Sequence, residues 1–291
     1  MAHKPPKNLG NMKFRLLLPL LFLLGGLRAH AGILPVTPEW LAGVSENGLL
    51  VMFPSDDPFD VTKVKIKGLQ KKEKILAIDR RPNGGQLYGL GSTSRIYTIN
   101  WETGQATQVG TGQLTTLLNG THFGFDFNPV VDRIRVVSNT GQNLRLNPDD
   151  GSVTSVDGST AYAGGDPNFA AVPDVVASAY TNNTAGTLTT TLYNIDADLN
   201  ILTTQNPPNA GTLNTVGALG IDAQEVAGFD ITGSNGIAYA AIVVKEGKKK
   251  KYRATLHTIN LTTGAATSLG NIGGPWPLTS LTALGPVAIL E

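Results

Sequence analysis

Three aspartates recur at the same place in three apolar contexts: Asp79 in Ala-Ile-Asp, and Asp126 and Asp230 each in Gly-Phe-Asp. Carboxylate oxygens are hard donors, so three brought to one point would hold a hard divalent cation, and calcium suits such an all-oxygen set. Each Asp also stands within three residues of a Pro or Gly, where it can cap the following turn by accepting backbone N–H bonds. The fourth and fifth matching positions read as Tyr180 and Leu284, which leaves the ring of carboxylates incomplete.

A second set is basic. Arg133 and Arg135 lie two apart and so share one face of an extended segment, with Arg145 on the next segment. With Asn139, Gln142 and Asn143 they can form a platform for a carboxylate or for sugar hydroxyls, because the guanidinium fork binds such groups bidentately. The competing role is an inter-sheet network in which the arginines pair with Asp126 or Asp132, since closely packed sheets need their buried polar groups satisfied. Gly164 to Asn183 reads as a long, Pro-punctuated loop leading into an inner strand. Such loops carry function more often than sheet interiors do. Tyr162, Asp166, Asn168 and Phe169 are its candidates for ligand contact, and the turn Asn206-Pro207-Pro208-Asn209 can rim the same face. Lys245 to Arg253, KEGKKKKYR, packs six positive side chains into nine residues. It fits either anionic envelope lipid or polysaccharide, or a solvated hairpin tip between the second and third strands of a last repeat.

Nucleophilic and metal-thiolate chemistry has little to stand on. The chain holds no cysteine, so disulfides and thiolate ligands are excluded. Beyond residue 31 the histidines are His122 and His257, and neither has metal-ligand or nucleophile-elbow spacing. Paired carboxylates such as Asp126 and Asp132 serve glycoside chemistry only at a definite separation. Two classes of function follow. One is a binding or scaffold module holding a carbohydrate, peptide or envelope component; the other is a calcium-assisted hydrolase or lyase acting on sugars or lactones through the carboxylates.

The elements that must position these residues are short strands. In HFGFDFNPVVDRIRVVSNTGQNLRLNPDD, residues 122–150, Phe123, Phe125 and Phe127 alternate with Gly124 and Asp126, the period of a strand with unlike faces. Asn128-Pro129, Asn139-Thr140-Gly141 and Pro148-Asp149-Asp150-Gly151 supply turns. The plan repeats. IYTINWETGQATQVG (96–110) and LHTINLTTGAATSLG (256–270) agree at eight of fifteen positions. Equivalent positions are Phe53, Asn100, Asn147, Asp196 and Asn260, spaced by 47, 47, 49 and 64 residues. A unit of that size accommodates four strands, the size of a propeller blade, and a blade cannot bury its faces alone. The expected fold is therefore an all-β, five-bladed β-propeller of four-stranded antiparallel blades. Its first blade lacks an inner strand, which the C-terminal run Leu278 to Leu284 should supply, closing the ring.

Lys13 and Arg15, the apolar run Leu16 to Leu24 and Ala29-His30-Ala31 form a secretory leader with cleavage near Ala31, the natural start being Met12 if Met1 is not. The run is too short for a membrane span. Residues 1–31 are then excluded from the fold, and 32–291 form a single β-propeller domain in the periplasm or outside the cell. The leader carries five basic and no acidic residues, so 23 basic against 22 acidic groups become 18 against 22. That balance does not call for nucleic acid.

The stretches LYGLGSTSRIYTINWETGQATQVG, FGFDFNPVVDRIRVVSNTGQNLRLNPDDG, TTTLYNIDADLNILTTQNPPNAGTLNTVGALGID and AGFDITGSNGIAYAA, in that order, resemble the bacterial family known as domain of unknown function 4394. Arg-Ile-Arg-Val-Val-Ser-Asn and Gln-Asn-Pro-Pro-Asn are its most specific parts, and the resemblance covers nearly all of the chain after the leader. It implies an exported protein of propeller-like fold and no established activity, so no catalytic residue is carried over. The basic stretch after Ile242 departs from the family pattern.

Overall fold

Apolar alternation punctuated by Asn, Asp and Gly turns produces short antiparallel strands. A computed structural model describes residues 37–223, 225–246 and 251–286. The leader expected over residues 1–31 lies outside the described residues.

Blade 1 contains β1 (Glu39–Ser45), β2 (Leu49–Pro54) and β3 (Thr62–Lys65). Blade 2 contains β4 (Ile75–Arg80), β5 (Leu87–Gly91), β6 (Arg95–Ile99) and β7 (Ala106–Val109); blade 3 contains β8 (Phe123–Asn128), β9 (Arg133–Ser138), β10 (Asn143–Leu146) and β11 (Val153–Val156). Blade 4 contains β12 (Ala161–Tyr162), β13 (Val175–Tyr180), β14 (Leu192–Asp196), β15 (Ile201–Gln205) and β16 (Thr212–Ala218). Blade 5 contains β17 (Glu225–Ile231), β18 (Ala238–Glu246), β19 (Lys251–Ile259) and β20 (Ala266–Asn271), after which β21 (Leu278–Pro286) returns to blade 1. There it pairs antiparallel with β1, giving the order β21-β1-β2-β3 and closing a five-bladed propeller. The inner strands β21, β4, β8, β13 and β17 follow one another around the axis.

Apolar side chains fill the seams between consecutive blades. Leu50, Ile78 and Leu87 pack between blades 1 and 2, Phe125, Phe127 and Val136 between 2 and 3, and Val137, Val175 and Leu213 between 3 and 4. Ile195, Phe229 and Ile242 join blades 4 and 5, while Leu41, Phe53 and Leu256 join 5 to 1. Each blade thus covers its neighbour, as burial of two apolar faces per blade requires.

Two details correct the repeat pattern. Blade 4 has five strands, because β12 adds parallel to β16 at its outer edge. The fourth repeat is also phased differently: Asp196 ends the second strand of its blade, whereas Asn100, Asn147 and Asn260 follow third strands. The true equivalent is Asn206. Its N–H donates to the carbonyl of Thr212, as Asn100 does to Gln105, Asn147 to Ser152 and Asn260 to Ala265. In three of these turns the Asn Oδ1 accepts N–H bonds from the residues that follow, which is why Asn marks the repeat. The basic stretch falls where β18 meets β19, with Glu246 paired to Lys251, and residues 247–250 lie outside the described residues.

Ring closure brings backbones close. A Cβ on Gly228 would stand 2.1 Å from the Leu281 nitrogen and 2.4 Å from the Ser280 carbonyl carbon. Gly228→Ala should lower stability by about 1–3 kcal/mol, read as a lower urea midpoint at unchanged m. Deleting 278–291 should abolish the cooperative transition altogether; a truncated chain that melts like the full one would contradict the closure.

Candidate metal centre

The strands β4, β8 and β17 each deliver an aspartate near their ends to the axis. Asp79, Asp126 and Asp230 are all buried, and a carboxylate oxygen from each lies within 4.8 Å of those from the other two. Their common register is set across the blade, where Asp79, Asp126 and Asp230 face Tyr88, Arg135 and Tyr239 of the second strands. In blade 4 the residue in that register is Ala179, opposite Tyr193, rather than Tyr180. In blade 1 it is Thr282 rather than Leu284, with the Thr282 hydroxyl 2.8 Å from Asp79 Oδ1 and 3.2 Å from Asp230 Oδ2.

The carboxylates clasp the next blade as well as their own strand ends. Asp79 accepts from Phe127 N–H at 2.8 Å, Asp126 from Tyr180 N–H at 3.1 Å, and Asp230 from Ala283 N–H at 2.6 Å. Asp79 and Asp230 also accept from the N–H of the residue that follows each. The capping of each following turn expected from sequence is replaced by bonds to the next blade, and Asp79 and Asp230 alone also accept from the strand residue that follows.

Burial strips these carboxylates of water, and mutual repulsion adds to that cost. Asp79 is pushed well above the usual carboxylate range by desolvation and then by the charge of Asp230; Asp126 is pushed up by desolvation and then by Asp79 and Asp230. Desolvation likewise raises Asp230, to about 6. Among the described residues no ion pair reaches any of the three. The donor set fits calcium: oxygens on opposite sides of a shell with bonds of about 2.3–2.6 Å stand about 5 Å apart.

A cavity stands at each end of the inner strands. The one beyond the aspartates, about 450 Å³, is walled by Glu39, Arg80, Asn183, Thr232 and Ser234. Glu39 is 1 % exposed, its Oε1 accepts from Ser234 and Asn235, and its Oε2 has no partner. Burial raises the Glu39 carboxyl. The opposite cavity, about 310 Å³, is walled by Ile75, His122, Phe123, Val176 and Leu278.

The other sequence candidates separate. Arg135 and Arg145 face each other across β9 and β10 and both bind Asp157, at 2.6 and 2.8 Å. The expected partners, Asp126 and Asp132, are not theirs; Asp132 is held by Arg81. Asn143 joins Arg135 at 2.7 Å. Asn139 and Gln142 lie at the far end of β9, where they accept N–H bonds from Thr121 and Asn119 and fasten the chain entering blade 3. Six residues therefore do not form one platform. Tyr162 is buried and donates to Asp196 at 2.6 Å. Asp166 and Asn168 tie their loop to Thr215, leaving Phe169 alone in solvent at 62 % exposure. Sequence reasoning passed over Thr282, Glu39 and Asp157. A signal existed for Thr282, since Ser280 and Thr282 share one face of the C-terminal strand.

The family model described as "Domain of unknown function (DUF4394)" matches residues 49–282. No curated protein sequence matches significantly. Among solved structures, a nidogen/laminin complex is similar at 11% identity and TM-score 0.43, covering 85% of this chain and 84% of that one. A structural genomics protein of unknown function from Bacteroides thetaiotaomicron is similar at 15% identity and TM-score 0.44, covering 80% and 58%. A dihydro-heme d1 dehydrogenase in complex with DHE is similar at 11% and 0.39, covering 79% of this chain, which spans 43% of that one.

A carboxyl whose folded pKa lies above its unfolded value binds more protons when folded, so its contribution is full below the unfolded value and lost as pH rises through the folded one. For the three aspartates that window opens at about pH 4 and reaches about 6 for Asp230. Asp132, held low by Arg81, and Asp157, which burial would raise but Arg145, Ser155 and Arg135 hold low, work oppositely only below about pH 4. His257, held low by burial, opposes the aspartates within their window and is outweighed by them together with Glu39, which burial raises. The EDTA-treated protein should therefore gain roughly 2–6 °C in Tm between pH 7 and pH 5. A flat or falling Tm across that interval in thermal melts would contradict the assignment.

Proposed function

This chain belongs to the family described as domain of unknown function 4394, and on that premise we propose that it is an exported β-propeller binding module whose axial aspartates hold a divalent cation, calcium by the chemistry of its donors. The observation that carries the reading is the convergence of Asp79, Asp126 and Asp230, with carboxylate oxygens within 4.8 Å of one another and all three pushed up in pKa. Like charges in a dry place raise the free energy of the fold unless a proton or a cation joins them.

Bound there, calcium would supply positive charge, tying blades 2, 3 and 5 together at the axis. Four of the protein's own groups shape the site: the Thr282 hydroxyl bridges Asp79 and Asp230, and the backbone N–H groups of Phe127, Tyr180 and Ala283 fix the carboxylate orientations. Each carboxylate is about 1 % exposed, which favours a cation that stiffens the scaffold over one presented to a substrate for hydrolysis or elimination. The loop-rich faces then present the surface for an extracellular partner, a glycan, peptide or envelope component. Export is supported by the leader pattern at the start of the sequence.

Calcium added to EDTA-treated protein at pH 7 should raise stability by about 2.7 kcal/mol at a hundredfold excess over Kd. Asp126→Asn keeps an acceptor for the Tyr180 N–H but removes one charge. It should abolish the calcium response while making the metal-free protein more stable. Melts that show no calcium response in the parent, or an undiminished one in the variant, would sink the reading.

A further inference from the structure

Among the described residues, the seam between blades 3 and 4 has the smallest apolar cluster of the five and the most deeply buried arginine. Its apolar part is small, Val137, Tyr162, Val175, Ile201 and Leu213, and polar groups fill the remainder. Arg135, 2 % exposed, donates to Asn143 at 2.7 Å, Asp157 at 2.6 Å, Asn209 at 2.7 Å and the Tyr180 hydroxyl oxygen at 3.3 Å. Arg145 grips the same Asp157 through Nε at 2.8 Å and Nη2 at 2.9 Å. One carboxylate thus serves two guanidiniums.

Against this network lies a cavity of about 160 Å³ walled by Val131, Arg133, Arg135, Arg145, Tyr180 and Asn209, with no acidic residue in its lining. Donors remain unspent around it. Among the described residues, Arg145 Nη1 makes no hydrogen bond, and Arg133 spends only Nη1, on the Asp132 carbonyl at 2.9 Å. The Tyr180 oxygen accepts from Arg135, which leaves its own proton to donate. Asp132, the nearest further acid in sequence, is engaged by Arg81. A cavity with three guanidiniums and one shared carboxylate calls for an anion.

An adjoining cleft of about 560 Å³ shares Asn128, Val131, Tyr180 and Pro208 with this cavity. It is flanked by Val130, Val131 and Leu188, large apolar side chains that are 41 %, 54 % and 89 % exposed. We propose that cavity and cleft together bind a carboxylate carried on an apolar body, with the carboxylate taken by Arg133, Arg145 and the Tyr180 hydroxyl and the body lying against Val130, Val131 and Leu188. The site uses none of the axial carboxylates as a ligand contact, and it touches them only through the Tyr180 N–H, 3.1 Å from Asp126.

Calorimetric titration of the full chain with hexanoate, acetate, sulfate and hexanol tests this. Hexanoate should bind saturably and at least about tenfold tighter than acetate or sulfate, since several buried methylenes add to the anion's contacts. Hexanol should not bind. Arg133→Gln, which removes no ion pair of the network, should weaken hexanoate about tenfold at unchanged Tm. Leu188→Ser should weaken hexanoate and leave acetate as it was. Absence of saturable hexanoate binding, equal affinity for hexanol, or unaltered hexanoate affinity in Arg133→Gln would overturn the proposal. Equal affinity for hexanoate, acetate and sulfate would overturn the role of the cleft.

Discussion

The pairing of β21 with β1 is the constraint on which the molecule depends. A blade is a small twisted sheet with two apolar faces, and only a neighbour on each side can cover both. An open row would leave blade 1 without an inner strand and two faces in water. Drawing the last strand back to Leu41 and Gly43 converts the row into a ring. It also obliges the inner strands to meet, so that Gly228 stands where any side chain would collide with Ser280 and Leu281.

Crowding at the axis sets the electrostatics. Five strands ending at one place leave little water, and three of the five residues in register there are aspartates. Their hydrogen bonds to the next blade help orient the strands, yet desolvation and repulsion push their protons on. Around the ring the seams divide the work differently. Apolar packing dominates between blades 4 and 5, whereas an arginine network shares the seam between blades 3 and 4 with a smaller apolar cluster.

Much of the fold was legible because the turns have chemistry that shows in single residues. Asn100, Asn147 and Asn260 accept N–H bonds from the residues that follow, and Gly104, Gly151 and Gly264 hold φ near +70 to +82°. The fourth repeat escaped this logic because its turn is one residue longer and contains Pro207 and Pro208, while Leu192 to Asp196 imitates a third strand closely enough to mislead the alignment. The axial aspartates could be read from their shared context. Their neighbour Ala179 could not, because it carries no polar group to mark its place, and Thr282 was marked only by the face it shares with Ser280; the bulge near the start of β13 recurs in β4 and β17 and gives blade 4 no phase of its own. Asp157 was missed for a related reason: the partner of Arg135 sits two strands away, and sequence proximity favoured Asp132.

Ala179 has one more consequence. At the axis blade 2 holds blade 3 through Asp79, blade 3 holds blade 4 through Asp126, blade 5 holds blade 1 through Asp230, and blade 1 reaches blade 2 through Thr282. With a methyl group in that position, blade 4 extends no such polar latch to blade 5, and β13 meets β17 there through apolar contact. Among the described residues, the axial joint between β13 and β17 is therefore the one on which neither protonation nor a cation acts directly, since a broad apolar cluster holds it instead.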